Sequence, residues 1–398
     1  MPNTAFRFGL LGRVALAILL GIGAGFCLPL WAVRIFSTFN SLFSEFLGFM
    51  IPLIIVGLVT PAIADLGKGV GRMLLLTVAL AYGSTIVAGL LSYGVSTTAF
   101  PHLIHQATAN LDAATAAVTP AAYFSLSIPP LMNVMTALVL SFTFGIGMAY
   151  TQSPTLYAFS CEAKAVIGRA ISHVLIPLLP IYIFGIFLSM TATGQVMPVL
   201  RTFAGIILVI FAMHILWLGG LYLIAGTATG QNPFHLLRNM LPAYFTALGT
   251  QSSAATIPVT LRQTLHNGVS ESVAGFVVPL CATIHLSGSM LKIVACAVAL
   301  MMMQGIPIGF QSFLGFICML GITMVAAPGV PGGAIMAALG VLASMLGFGE
   351  TDQALMIALY IAMDNFGTAC NVTGDGAIAL VVDRLSRQAP PLQSSPQA

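Results

Sequence analysis

Long apolar stretches separated by short polar turns run along the whole chain, and their lengths predict membrane-crossing helices. The first stretch extends from about Leu10 to Val33 and the second from about Phe39 to Ile63, before a turn with Asp65, Lys68 and Arg72. A third covers about Met73 to Tyr93. The polar residues between His102 and Pro120 are expected to form a loop or insertion outside the bilayer. A broken stretch follows from about Tyr123 to Tyr150, then a loop marked by Glu162, Lys164 and Arg169. The fifth and sixth stretches run from about Val174 to Met190 and from about Thr202 to Thr227. A crossing needs roughly 20 residues, and each of these is near or above that length.

Beyond Thr227 the pattern changes. The segment from Phe234 to Leu265 is apolar at both ends and polar at its centre, where the chain reads Thr250-Gln251-Ser252-Ser253-Ala254-Ala255-Thr256-Ile257-Pro258. Each half is too short to cross, which predicts a re-entrant hairpin. Val273 to Met303 is long enough to cross but is interrupted by His285-Leu286-Ser287-Gly288-Ser289. Pro307 to Phe348 is again two short apolar halves, here around Ala326-Ala327-Pro328-Gly329-Val330-Pro331-Gly332-Gly333. A last crossing is expected from about Asp352 to Val382, and a polar tail begins at Arg384.

Composition narrows the class. The 398 residues are 58% hydrophobic and only 6% charged, with mean hydropathy +1.02. Soluble domains carry about 25% charged residues, so this chain has too little charge to cover a water-facing surface. Backbone groups in lipid must be satisfied internally, and the periodicity is helical or continuous rather than alternating, so the expected fold is all-α and polytopic. No basic cluster points to nucleic acid, and the six cysteines show no metal-ligand spacing.

The basic residues then orient the chain. With eight crossings, two re-entrant hairpins and a cytoplasmic N-terminus, Arg7, Arg13, Lys68, Arg72, Lys164, Arg169, Arg238, Arg262, Arg384 and Arg387 fall inside. Arg34 and Arg201 fall outside, and Lys292 is left within the membrane. Each hairpin pairs with a following crossing, and the two hairpins enter from opposite sides. Inverted repeats of interrupted segments place a site at midplane and mark secondary transporters. No phosphate-binding Gly-rich loop suggests drive by ATP.

The last crossing holds the candidate chemistry. Asp364, Thr368, Asn371 and Asp375 recur at i, i+4, i+7 and i+11, one face of a helix. A carboxylate in a crossing costs about 3 kcal/mol on insertion scales, so two of them mark a functional site. His285, Ser289 and Lys292, at i, i+4 and i+7, predict a second polar face.

These residues resemble the dicarboxylate/amino acid:cation symporters, the glutamate and aspartate transporter family. The likeness runs from the first crossing to the last. Its strongest motifs are the serine-rich tip Gln251–Pro258, Pro279-Leu280-Cys281-Ala282-Thr283-Ile284, Gly329-Val330-Pro331-Gly332-Gly333 and Asn371-Val372-Thr373-Gly374-Asp375. The resemblance implies a homotrimer working by elevator movement in the inner (plasma) membrane. Within a single membrane domain, residues 1–383, a scaffold of about 10–63 and 123–190 would hold a moving part of about 73–93 and 202–383.

It also implies roles for single residues. Ser252, Ser253, Asp364, Thr368 and Asn371 match solute-binding positions, Asp364 that of the aspartate that holds a solute's amino group, with Gly329, Val330 and Pro331 in the outer gate. Asn371, Asp375, Ile284 and His285 match an ion site for sodium, the coupling ion, with a proton as the alternative. No other cofactor is expected. Two departures bear on the solute. The arginine that pairs a solute's side-chain carboxylate in acidic-substrate members is here Gly367 or, at the first tip, Gln251. With no fixed cation and space at Gly367, a small neutral amino acid is favoured over a dicarboxylate or acidic amino acid. The seventh-crossing Asn-Met-Asp-Gly-Thr is here His285-Leu286-Ser287-Gly288-Ser289, which removes a sodium-site carboxylate. Lys292 or His285 is then a substitute for the missing positive charge, or a proton site. An intramembrane enzyme pairing Ser252 with His285, and a channel, are the competing classes.

Overall fold

The computed structural model describes residues 10–67, 72–111, 121–194, 196–325, 327 and 331–387. Every regular element among them is helical. In chain order these are α1 (Leu10–Gly25), α2 (Leu30–Gly67), α3 (Arg72–Leu111), α4 (Val134–Thr151), α5 (Pro154–Ala170) and α6 (Ile176–Ala192), the last two joined through a π-turn at Ile171–Leu175. Next come α7 (Val196–Thr229), α8 (Pro233–Thr250), α9 (Ser253–His266), α10 (Glu271–Ile284) and α11 (Ser287–Met303). The chain closes with α12 (Phe310–Val325), α13 (Gly333–Leu346), α14 (Glu350–Ala362) and α15 (Asp364–Arg387).

Among the described residues, five helical segments are long and apolar enough to cross a membrane, and a sixth counts if the bent pair α14–α15 is one span. Several boundaries differ from the sequence reading. The first break falls at Phe26–Pro29, not after Val33, because Pro29 sets the first turn of α2 and its carbonyl receives Ala32 and Val33 N–H. Arg34 therefore lies within α2, where its Nε donates to Ala121 O at 2.9 Å and its guanidinium covers the Tyr123 ring. α3 continues past Tyr93 to Leu111, so much of the expected polar loop is helix. Thr97 and Thr98 bond back to Tyr93 and Gly94 carbonyls, which lets hydroxyl side chains sit in a helix without unpaired donors. Glu162, Lys164 and Arg169 lie on α5 rather than in a loop, since Ser153 caps that helix and Pro154 opens it.

The segment expected as the last crossing is two helices. α14 and α15 meet at Met363 with a bend of 62°. The other interruptions fall where the sequence puts them. α8 and α9 meet at Gln251-Ser252, α10 and α11 at His285-Leu286, and α12 and α13 flank the second tip. Gly329 and Val330 of that tip lie outside the described residues, as do 388–398 of the tail.

Small residues set the closest helix contacts, as expected where lipid offers no hydrophobic drive for helix association. A Cβ at Gly21 would lie 2.7 Å from Phe184 O, and one at Gly25 would lie 2.4 Å from Thr191 Cβ. These two glycines, four apart, seat α1 on α6. α2 packs chiefly on α4, with α5 and α6 beside it. α3 packs on α11, and α15 is surrounded by α7, α8, α9, α10 and α11.

Candidate functional site

α15 carries the polar face that its spacing predicts. Asp364, Thr368, Asn371 and Asp375 all lie on this helix, and all are buried. At 1.5 Å per residue the two carboxylates sit about 16 Å apart along the axis. Asp364 occupies the first helical position, where the positive end of the helix dipole favours an anion. Each carboxylate has its own partner from the α10–α11 segment.

At the lower pair, His285 Nδ1 lies 2.9 Å from Asp375 Oδ1, and its Nε2 lies 3.0 Å from Ser84 Oγ on α3. His285 is in the break after Ile284, with extended backbone (φ −105°, ψ 92°). It therefore does not share a helical face with Ser289 and Lys292, contrary to the i, i+4, i+7 spacing. A helix that stops after Ile284 turns the His285 ring away from the row that α11 begins at Ser287. Asp375, expected as a sodium ligand, has one oxygen engaged by the imidazole of His285.

The upper pair joins Lys292 Nζ to Asp364 Oδ1 at 3.2 Å, with Met363 O at 3.4 Å. The ammonium also stands 3.6 Å from the centroid of the Tyr360 ring, a cation–π contact. Lys292 is 0% exposed, which excludes snorkelling to an interface. Asp364 Oδ2 accepts the Gly332 N–H at 2.9 Å, which ties the second hairpin to the start of α15. Gly367 does not leave open space. A Cβ there would lie 2.4 Å from both Cε and Nζ of Lys292. The expectation of a vacant pocket without a fixed cation is thus corrected: the room left by the missing arginine is filled by a lysine from α11. The same arrangement recurs below, where a Cβ at Gly374 would lie 2.8 Å from His285 Cε1. Lys292 and His285 each rest over a glycine of α15.

Between the two pairs Asn371 bridges the helices. Its Oδ1 accepts Gly288 N–H at 2.7 Å, and its Nδ2 donates to Ser289 Oγ at 3.2 Å, which in turn meets Tyr360 OH at 2.9 Å. A Cβ at Gly288 would lie 2.6 Å from Gly367 O, so glycine allows this approach. His214 Nε2 donates to Gly288 O at 3.0 Å, and Tyr222 OH donates to Thr373 O at 2.8 Å. Ser84, His214, Tyr222 and Tyr360 were missed as site residues by sequence reasoning. Tyr360 had a signal, standing four residues before Asp364; the others come from distant helices whose packing no local spacing reveals.

The first hairpin tip reaches the same place. Gln251 adopts the left-handed conformation (φ 54°) that ends α8, and its Nε2 donates to Asn365 Oδ1 at 3.0 Å. Asn365 Nδ2 returns to Leu248 O at 3.1 Å. Ser252 Oγ caps α9 by accepting Ala255 N–H, and Ser253 is buried beside it at the first position of that helix. Both His285 nitrogens face groups other than Ser252, so no nucleophile–base hydrogen bond joins them. Pro331 is half-buried in the turn before Gly332. Thus two hairpin tips, through Asn365 and Asp364, meet one helical turn.

The sequence profile of the sodium:dicarboxylate symporter family matches residues 10–385. The chain is 26% identical to the serine/threonine transporter SstT of Acinetobacter baumannii (strain AYE) over 396 residues, covering 96% of this chain and 98% of that one. It is 28% identical to excitatory amino acid transporter 1 of Rattus norvegicus over 263 residues, 64% of this chain and 48% of the relative. It is 32% identical to excitatory amino acid transporter 2 of Homo sapiens over 172 residues, 42% and 30% of the two. The match to SstT is nearly end to end, whereas the chain spans about half of the first excitatory transporter and less of the second. With its profile matched across almost its full length, the chain belongs to the sodium:dicarboxylate symporter family.

Proposed function

We propose that this protein is a secondary active symporter that couples inward movement of a small carboxylate-bearing solute to a cation gradient. The observation that carries this reading is the meeting of both hairpin tips with the first turn of α15, above the buried Asp375. Tips that close on a helix terminus are built to open and shut, and half-helix ends suit an anionic solute and its coupling ion. The solute site comprises Ser252, Ser253, Asp364, Thr368 and Asn371, with Gly329, Val330 and Pro331 in the gate. The ion site comprises Ile284, His285, Asn371 and Asp375. Sodium is the coupling ion, with a proton as the alternative.

The accompanying architecture is eight crossings, α1, α2, α3, α4, α5–α6, α7, α10–α11 and α14–α15, with α8–α9 and α12–α13 as re-entrant hairpins forming an inverted repeat. A scaffold of about 10–63 and 123–190 carries a moving part of about 73–93 and 202–383. The working unit is a homotrimer in the inner (plasma) membrane, with both termini cytoplasmic, and the movement is an elevator.

The full-length relative named for serine and threonine supports an amino acid solute. A second reading, a dicarboxylate, is favoured by Lys292, a fixed cation at the place where a neutral solute needs none. Uptake of labelled alanine, serine, aspartate and succinate into proteoliposomes, with sodium and pH gradients imposed separately, tests the proposal. Accumulation about tenfold above protein-free vesicles is expected under one gradient. Uptake equal to protein-free vesicles under both gradients would sink it.

A further inference from the structure

We propose that Lys292 is a tethered ammonium that fills the amine slot of the solute site, so that the solutes carried lack an ammonium group. This rests on the reading of Asp364 as part of the solute site.

Both oxygens of Asp364 are already engaged, and its single negative charge is already matched by a cation. One oxygen takes the Lys292 ammonium and the other takes the Gly332 N–H. The ammonium is itself provided for, by Asp364, the Met363 carbonyl and the Tyr360 ring face. The stem is held as firmly. Gly367 lies so close beneath Cε and Nζ that even a methyl group would displace them. An α-amino acid entering with its ammonium toward Asp364 would place two like charges against one carboxylate in a dry interior, where such repulsion is strong. A solute with a hydroxyl, an oxo group or plain methylene at that position meets no such conflict. Its hydroxyl or oxo oxygen takes over the ammonium N–H now spent on the Met363 carbonyl at 3.4 Å, and its carboxylate gains a cation nearby. The solute class is therefore small 2-hydroxy, 2-oxo or unsubstituted carboxylic acids.

The test uses the full chain in vesicles of phosphatidylethanolamine and phosphatidylglycerol, with sodium and proton gradients both imposed. Labelled pairs differ only in hydroxyl against ammonium: L-malate with L-aspartate, and L-lactate with L-alanine. For the wild type, at least one pair is expected to favour the hydroxy acid by about tenfold or more, the discrimination typical of buried polar recognition. Lys292→Met is expected to collapse that ratio by raising uptake of the amino acid, and methylammonium added to Lys292→Ala is expected to reinstate it. A wild type that moves the amino acids as fast as or faster than the hydroxy acids overturns the inference while leaving the transport reading intact. So does a ratio unchanged in both lysine variants. The wild-type ratio requires no variant, so a lysine variant that fails to fold leaves the comparison decisive. A wild type that moves none of the four solutes overturns the transport reading and this inference with it.

Discussion

Two basic side chains, Lys292 and His285, each seated on a glycine of α15, define the site at the level of single residues. The Lys292–Asp364 pair is buried on both sides, and removing one partner of such a pair costs about 3–5 kcal/mol because a charge is stranded. Lys292→Met is therefore expected to lower the melting temperature in detergent sharply. Lys292→Met with Asp364→Asn should lose much less than the two single losses together, which a double-mutant cycle by thermal unfolding measures. Gly367→Ala tests the same contact from below. Overpacking of this kind costs about 1–3 kcal/mol, and uptake should fall with it because the ammonium is pushed off Asp364. At the lower pair, His285→Asn restores the residue that the family resemblance leads one to expect and releases Asp375 Oδ1. Uptake in that variant should saturate at lower sodium than in the wild type; an unchanged sodium titration would count against an ion site at Asp375.

Among the elements, the interrupted helices were the most legible part of the sequence, and the reason is physical. Ser252, His285 and the Pro331-Gly332-Gly333 turn are polar or helix-breaking residues inside apolar runs, where an interruption must be matched by compensating bonds. The bend at Met363 had no such mark. The Met363 carbonyl receives the local Phe366 and Gly367 N–H groups and, as a tertiary contact, the distant Lys292 ammonium. The α15 face was legible because spacing alone fixes it. The partners of that face were not, because they come from the break and first turns of α10–α11 and from the second tip. Nor could the sequence show that Gly367 is covered, since an absent side chain reads as space until its neighbour is known. Gly332 offers a test at this scale. Its φ of +74° suits glycine, and a Cβ would meet nothing nearer than Leu10 at 3.5 Å. Gly332→Ala should thus cost about 1–2 kcal/mol through backbone strain alone. The second tip should detach more readily, seen as faster labelling of a cysteine placed at Pro331.

For the whole molecule, the proposed elevator requires the two helix groups to slide past one another. Tyr182 of α6 connects them, its hydroxyl meeting Ser44 Oγ at 3.0 Å and donating to Glu350 O of α14 at 3.1 Å. In a background without the six native cysteines, Ser44→Cys with Glu350→Cys should allow a mercury bridge that arrests uptake and is reversed by thiol. Undiminished uptake with the bridge formed would rule out sliding at this contact. The Lys292–Asp364 pair has one further consequence, for the electrical work of a transport cycle. Carrying one unbalanced charge across a membrane potential involves about 2.3 kcal/mol per 100 mV. Because Asp364 already holds a cation of the protein's own, that aspartate adds no net charge when the empty carrier returns. In the proposed cycle the return step would in this respect be insensitive to voltage, whereas a Lys292→Met carrier that keeps Asp364 ionised would make it against or with the field.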